Sequence, residues 1–189
     1  MLERHFSLEL SSRLPVIAIY SVYQELFKVV NRYDGKILRP LNVHTSSNKH
    51  GYGDIEVWNS NNTPFEIVEI KHNISIDRNL IFDIVKKTEN TNIELYYILT
   101  TAKKNFPTLS EEKYINKLIL KIKQKHGIKI IPNGIYQSLK YYLRFIEDYK
   151  NFIKMYTKNL IADAQSSTEV NENHIKEWKE ILREHSLDR

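Results

Sequence analysis

Asp54, Glu69 and Lys71 are the residues whose types and spacing can do chemistry together. Side chains alternate along an extended segment, so a strand over Pro64–Lys71 sets Phe65, Ile67, Glu69 and Lys71 on one face. Two of these are apolar and two are charged, the pattern of a core edge that opens into a site. Glu69 and Lys71 then project side by side, roughly 7 Å apart along the strand. Two carboxylates can bind a hard divalent cation such as Mg²⁺ and leave positions for water and a phosphate oxygen. An ion so placed acidifies the water and offsets charge in a pentacovalent transition state. An adjacent ammonium can orient the water, help deprotonate it or stabilise the phosphorane.

Asp54 has to reach that place from a neighbouring strand. Asp54–Trp58 reads as a short strand and Asn59–Asn62 as a hairpin turn, which brings Asp54 across from the C-terminal end of the Glu69 strand. Upstream, Asn31–Gly35 reads as a turn and Lys36–Val43 as a strand bent at Pro40. Residues 14–31 are apolar nearly all round and read as a buried helix, capped by Ser11 or Ser12 with Pro15 in its first turn. Glu25 shares a face of that helix with Leu14, Ala18, Val22 and Val29, and there needs a partner or a metal. A structural pairing with Arg39 or Lys71 and a role at the site are both open to it.

Downstream, Asp77 can cap a helix to Glu89, and Ile93–Thr100 lacks clean alternation, as a central strand buried on both faces does. Ser110 caps a helix to His126 that Gly127 stops, and Ile128–Ile131 is a short strand closed by Pro132, Asn133 and Gly134. Residues 135–161 read as one long helix, 163–170 as a polar break, and 173–185 as a final amphipathic helix. The fold class expected is α/β (α+β mixed). A central mixed β-sheet is flanked by helices, with an antiparallel meander followed by a crossover helix that sets strand 93–100 parallel.

Asp54, followed 14 residues later by Val68-Glu69-Ile70-Lys71 on a strand, resembles the D…(D/E)-x-K signature of the PD-(D/E)XK nucleases. The stretches 13–20, His44-Thr45-Ser46, 53–57 and Glu69-Ile70-Lys71-His72 resemble, more closely, a group of bacterial type II restriction endonucleases. The likeness covers residues 13 to about 100 and departs at Gly53, where the family's pattern has proline. It implies a restriction-endonuclease-like core in which Asp54 and Glu69 bind Mg²⁺ (Mn²⁺ in its place), assisted by the Ile70 carbonyl. Lys71 would handle the water, and Glu25 would be an additional carboxylate. It also implies cleavage of double-stranded DNA to a 5′-phosphate and a 3′-hydroxyl by a homodimer acting on a palindrome. The chain is short for that class, so it is expected to be a catalytic domain belonging to a larger restriction enzyme chain. One nuclease domain over 1–189 is expected, with a catalytic core at 13–100, a basic helical region at 102–161 and a C-terminal helix at 173–185. A repair or recombination nuclease that reads DNA structure, and a non-catalytic DNA-binding module, are the alternatives on the same fold.

Charge distribution agrees with a polyanionic partner. The net +5 is concentrated in residues 102–158, which carry 13 Lys/Arg against 4 Asp/Glu; a solvated helical surface would give the same count. The polar stretch Ser46, Ser47, Asn48, Lys49 and His50 precedes Asp54 and is a candidate DNA contact, as are Lys86 and Lys87 on the helix after the motif. Glu56 and Glu66 fall on other strand positions and read as solvated or structural, and His72 as structural. The chain has no cysteine, which excludes disulfides and thiolate metal sites. No apolar run is long enough to span a bilayer, and the first residues lack the apolar core of a secretory signal, so a cytoplasmic protein without a membrane partner is expected.

Overall fold

The computed structural model describes residues 1–41 and 51–188. They form a mixed α/β structure around a five-stranded sheet in the order β1 (Lys36–Leu38), β2 (Ile55–Asn59), β3 (Pro64–Lys71), β4 (Leu95–Thr100) and β5 (Lys129–Gly134). β2 runs antiparallel to both β1 and β3, and β4 and β5 continue parallel to β3. The turn at Asn59–Asn62 closes as expected, with the Asn62 N–H donating to the Asn59 carbonyl at 3.0 Å and Asn62 at φ 62°. Asn tolerates that left-handed conformation better than most residues.

Two helical layers cover the sheet. On one face lie α1 (Leu2–Phe6), α2 (Arg13–Val29), α5 (Ile135–Leu143), α6 (Tyr149–Ser166) and α7 (Glu172–Glu184), packed with Val57, Val68, Ile70 and Leu99 of the strands. On the other lie α3 (Arg78–Thr88) and α4 (Leu109–His126), packed with Ile67, Tyr96, Ile98 and Ile130. β3 and β4 thus bury apolar side chains on both faces, which is why their sequences lack clean alternation. The Asp77 carboxylate accepts from the Leu80 N–H and starts α3; Gly127, at φ 76°, ends α4. Among the described residues, no helix is long and apolar enough to cross a membrane.

The sequence expectations differ from the structure at several places, beginning with β1, which ends at Leu38, short of the expected Val43, and α6, which runs to Ser166, into the expected polar break. Thr108, not Ser110, caps α4 through the Glu111 N–H. The expected helix 135–161 is two helices, because Asp148 turns its side chain onto the Lys150 N–H and caps a new start at Tyr149. β5 reaches Gly134, three residues beyond the expected end, since Pro132 needs no N–H where it sits. The register of β2 against β3 shifts between Val57 and Trp58, so Phe65 packs with the α2 layer rather than beside Ile67. The N-terminal helix Leu2–Phe6 carries no sequence signal beyond its apolar ends.

Candidate active site

The hairpin β2–β3 positions the first acid. The Asp54 N–H donates to the Val68 carbonyl at 2.9 Å, and the Asp54 carboxylate accepts from the Ile70 N–H at 2.7 Å through Oδ2. Gly53 permits this approach: a Cβ at residue 53 would stand 2.5 Å from Ile67 Cγ2 and 2.9 Å from the Val68 carbonyl oxygen. The place where the family pattern has proline is therefore closed to any side chain here. Glu56 secures the same turn from below. Its carboxylate accepts from the Tyr52 N–H at 2.6 Å and from Trp58 Nε1 at 2.8 Å, so Glu56 is structural and buried, not solvated.

Glu69 and Lys71 share the α3 side of β3. Lys71 Nζ lies 2.7 Å from Glu69 Oε1, and both side chains are partly open to solvent, 29% for Lys71 and 13% for Glu69. The other oxygen, Oε2, accepts from the Tyr96 hydroxyl at 3.3 Å, and Tyr96 also donates to the Tyr52 carbonyl at 2.7 Å. Tyr96 therefore ties β4 to both the Glu69 carboxylate and the loop that carries Asp54. Burial pushes the Tyr96 phenol far up, and the negative charges of Glu69, Asp54 and Glu56 add to it. The Glu69 carboxylate and the Tyr52 carbonyl thus meet at one phenol. Tyr96 is the residue that sequence reasoning missed; an aromatic in a central strand reads as core, and only the parallel register Ile67–Tyr96 places it under the acids.

Lys87, from the last turn of α3, brings its Nζ to 3.9 Å from Glu69 Oε2. Lys86 is exposed on the same turn and forms no hydrogen bond or ion pair with the acids among the described residues. The stretch Ser46–His50, expected to contact DNA, lies outside the described residues.

Glu25 does not join this group. α2 runs opposite to β3: Ser11, before α2, meets His72 just beyond β3 at 3.2 Å, whereas Tyr23 reaches Glu66 near its start. Glu25 lies beyond Tyr23 in that direction and on the other face of the sheet, where its carboxylate pairs with Lys28 at 2.7 Å. Its pairing is thus with neither Arg39 nor Lys71. His72 is held by Ser11 and, at 3.0 Å, by Thr101 Oγ1, and burial lowers its pKa, in keeping with a structural role.

The donor set suits a hard divalent ion. Asp54 and Glu69 offer carboxylate oxygens, and strand geometry turns the Ile70 carbonyl to the same side as the Ile70 N–H that meets Asp54. Among the described residues no group of three or more His, Asp or Glu side chains is placed to hold a metal ion. No model of a known protein family matches the chain, and no curated protein matches it.

Proposed function

We propose that the protein is a Mg²⁺-dependent endonuclease that hydrolyses phosphodiester bonds of double-stranded DNA, of the PD-(D/E)XK kind and acting as a type II restriction enzyme. The observation that carries this reading is that the Asp54 carboxylate accepts from the Ile70 N–H, the residue between Glu69 and Lys71, while the Lys71 ammonium lies 2.7 Å from the Glu69 carboxylate. The order of helix, antiparallel strands, crossover helix and parallel strand supports the same reading.

In this scheme Asp54, Glu69 and the Ile70 carbonyl would hold Mg²⁺, or Mn²⁺ in its place. When bound, the ion supplies Lewis-acid charge to a phosphate oxygen and acidifies a water. Lys71 would donate hydrogen bonds that orient the attacking water and stabilise charge on the phosphorane. The Ile70 N–H fixes the Asp54 carboxylate, and the Tyr96 hydroxyl fixes that of Glu69, so neither acid has to reorganise as substrate enters. Lys87 adds positive charge beside the scissile phosphate. Cutting both strands needs two such sites, which a homodimer supplies.

Plasmid cleavage with Mg²⁺ tests the proposal. The wild-type chain should nick or linearise supercoiled DNA, and Asp54→Ala and Lys71→Ala should not, while both keep the wild-type circular dichroism spectrum. Wild-type chain that leaves plasmid intact with Mg²⁺ and with Mn²⁺, yet still retards duplex in a gel, would point instead to a DNA-binding module without catalysis.

A further inference from the structure

α4 and α6 both carry exposed lysines four residues apart, but in different charge surroundings. On α4 they are Lys113, Lys117, Lys121 and Lys125, joined by Lys123 and, after the helix, by Lys129. Residues 113–129 hold these six lysines and no aspartate or glutamate. On α6 they are Lys150, Lys154 and Lys158. Residues 147–163, a stretch of the same length, set three acids beside them, Glu147, Asp148 and Asp163. One helix therefore presents an uncompensated positive field, and the other is balanced.

The roll of α4 turns that field outward. Ile115 and Ile122 are buried against the sheet, so Lys113 and Lys117 stand on the opposite side of the helix. Successive lysines of the run are about 6 Å apart along the axis, and the four span roughly 18 Å. α3 joins this face to the candidate active site. At its first residue, Arg78 Nε donates to Glu111 Oε1 of α4 at 2.9 Å, and the guanidinium lies 4.2 Å from the centre of the Tyr114 ring. In its last turn, Lys87 Nζ lies 3.9 Å from Glu69 Oε2. The length of α3 thus sets the start of the lysine run about 16 Å from the acids, roughly five base-pair steps of a duplex. α6 packs on the other face of the sheet.

We propose that the outward face of α4 is a phosphate track for the arm of duplex DNA that leaves the active site across α3. The proposal rests on the DNA-endonuclease reading above and names the surface that holds the substrate. Charge complementarity selects the partner. DNA presents phosphates at regular intervals, and α4 presents ammonium groups at regular intervals with no acid among them. Binding to a bilayer would need an apolar face turned outward. Within the run, Tyr114 lies under Arg78 and Leu120 stands between lysines, while the apolar face of α4 is in the core.

Two matched triple variants test the proposal: Lys113→Gln with Lys117→Gln and Lys121→Gln on α4, and Lys150→Gln with Lys154→Gln and Lys158→Gln on α6. Each removes three charges at one helical spacing, and glutamine keeps the helix propensity of lysine. Binding is read by fluorescence anisotropy of a labelled duplex over a range of salt, in Ca²⁺ to hold cleavage back. The α4 variant should bind about tenfold more weakly, with a log–log salt slope shallower by about 3. The α6 variant should bind with the wild-type slope and cut as wild type does. Equal weakening in the two variants would mean that binding follows net charge alone and overturns the inference, as does an α4 variant that binds like wild type. A loss confined to anionic vesicles or to polyglutamate, with duplex binding unchanged, overturns it as well. Each of these outcomes leaves the nuclease reading intact. A wild type that neither binds nor cuts duplex DNA overturns both.

Discussion

Glu66 and Glu69 stand three residues apart on β3 and face opposite layers of the molecule, and their surroundings could hardly differ more. Glu66 is 1% exposed, and its oxygens accept from the phenols of Tyr23 and Tyr33, the latter at 3.1 Å, with Arg32 at 3.4 Å. Burial pushes its carboxyl up, opposed by the hydrogen bonds of the two tyrosines and the charge of Arg32. Glu69 meets two lysines and one phenol at a half-open edge. The difference shows what makes a carboxylate available for chemistry. Oxygens satisfied by fixed core groups cannot exchange partners without breaking the core, whereas oxygens met by ammonium groups on long, partly solvated stems can exchange one cation for another.

Swapping the two acids for neutral groups should separate these roles. Glu69→Gln should lower the rate of DNA cleavage by about 10³-fold with the unfolding midpoint in urea nearly unchanged, because only the charge at an open edge is lost. Glu66→Ala should do the reverse. It strands two buried phenols and a guanidinium, so the unfolding free energy should fall by about 3 kcal/mol, with cleavage at low temperature retained. Equal loss of both properties in both variants would erase the distinction.

Acid should attack the α2 side first. Burial depresses the His5 pKa to about 4, below its ordinary 6.5, while Nδ1 faces the Tyr156 hydroxyl and Nε2 the His174 carbonyl, each at 2.9 Å. The unfolded chain therefore binds the extra proton more readily, and stability present above pH 6.5 is lost as the pH falls toward 4, by up to about 3 kcal/mol. The loss should be absent in His5→Gln, as measured by denaturation across that range. The smallest effect is expected on the site side. Asp77→Ala removes the cap of α3 and should cost about 1 kcal/mol, and hydrogen exchange should show the first turn of α3 opening while β3 stays protected.

Much of this arrangement is legible in the residues. The hairpin turn, the strand phase of Glu69 and Lys71, the crossover helix with its Asp77 cap and the parallel placement of β4 all follow from local chemistry that the sequence displays. The approach of Lys87 to Glu69 comes close behind, since a lysine in the last turn of a crossover helix is near the strand it came from. Glu25 shows where local reasoning stops. Its position on an apolar helix face is correctly read, but the end of β3 it lies against depends on the direction in which α2 packs, which no spacing within the helix encodes. Phe65 changed faces through a bulge that alternation alone cannot show. Tyr96 sits in a strand that meets β3 only through long-range parallel register, so nothing within a few residues of it marks its neighbours.

The strand order 1-2-3-4-5 follows the order of the chain. Every strand joins one already beside its predecessor, and none has to thread between two others. Loop closure is therefore paid in short instalments, a topology associated with fast folding. It also means that the hairpin bearing Asp54 and Glu69 is a local contact that can form before β5 arrives, so the residues at the far edge of the sheet are added to an acidic pair already in place.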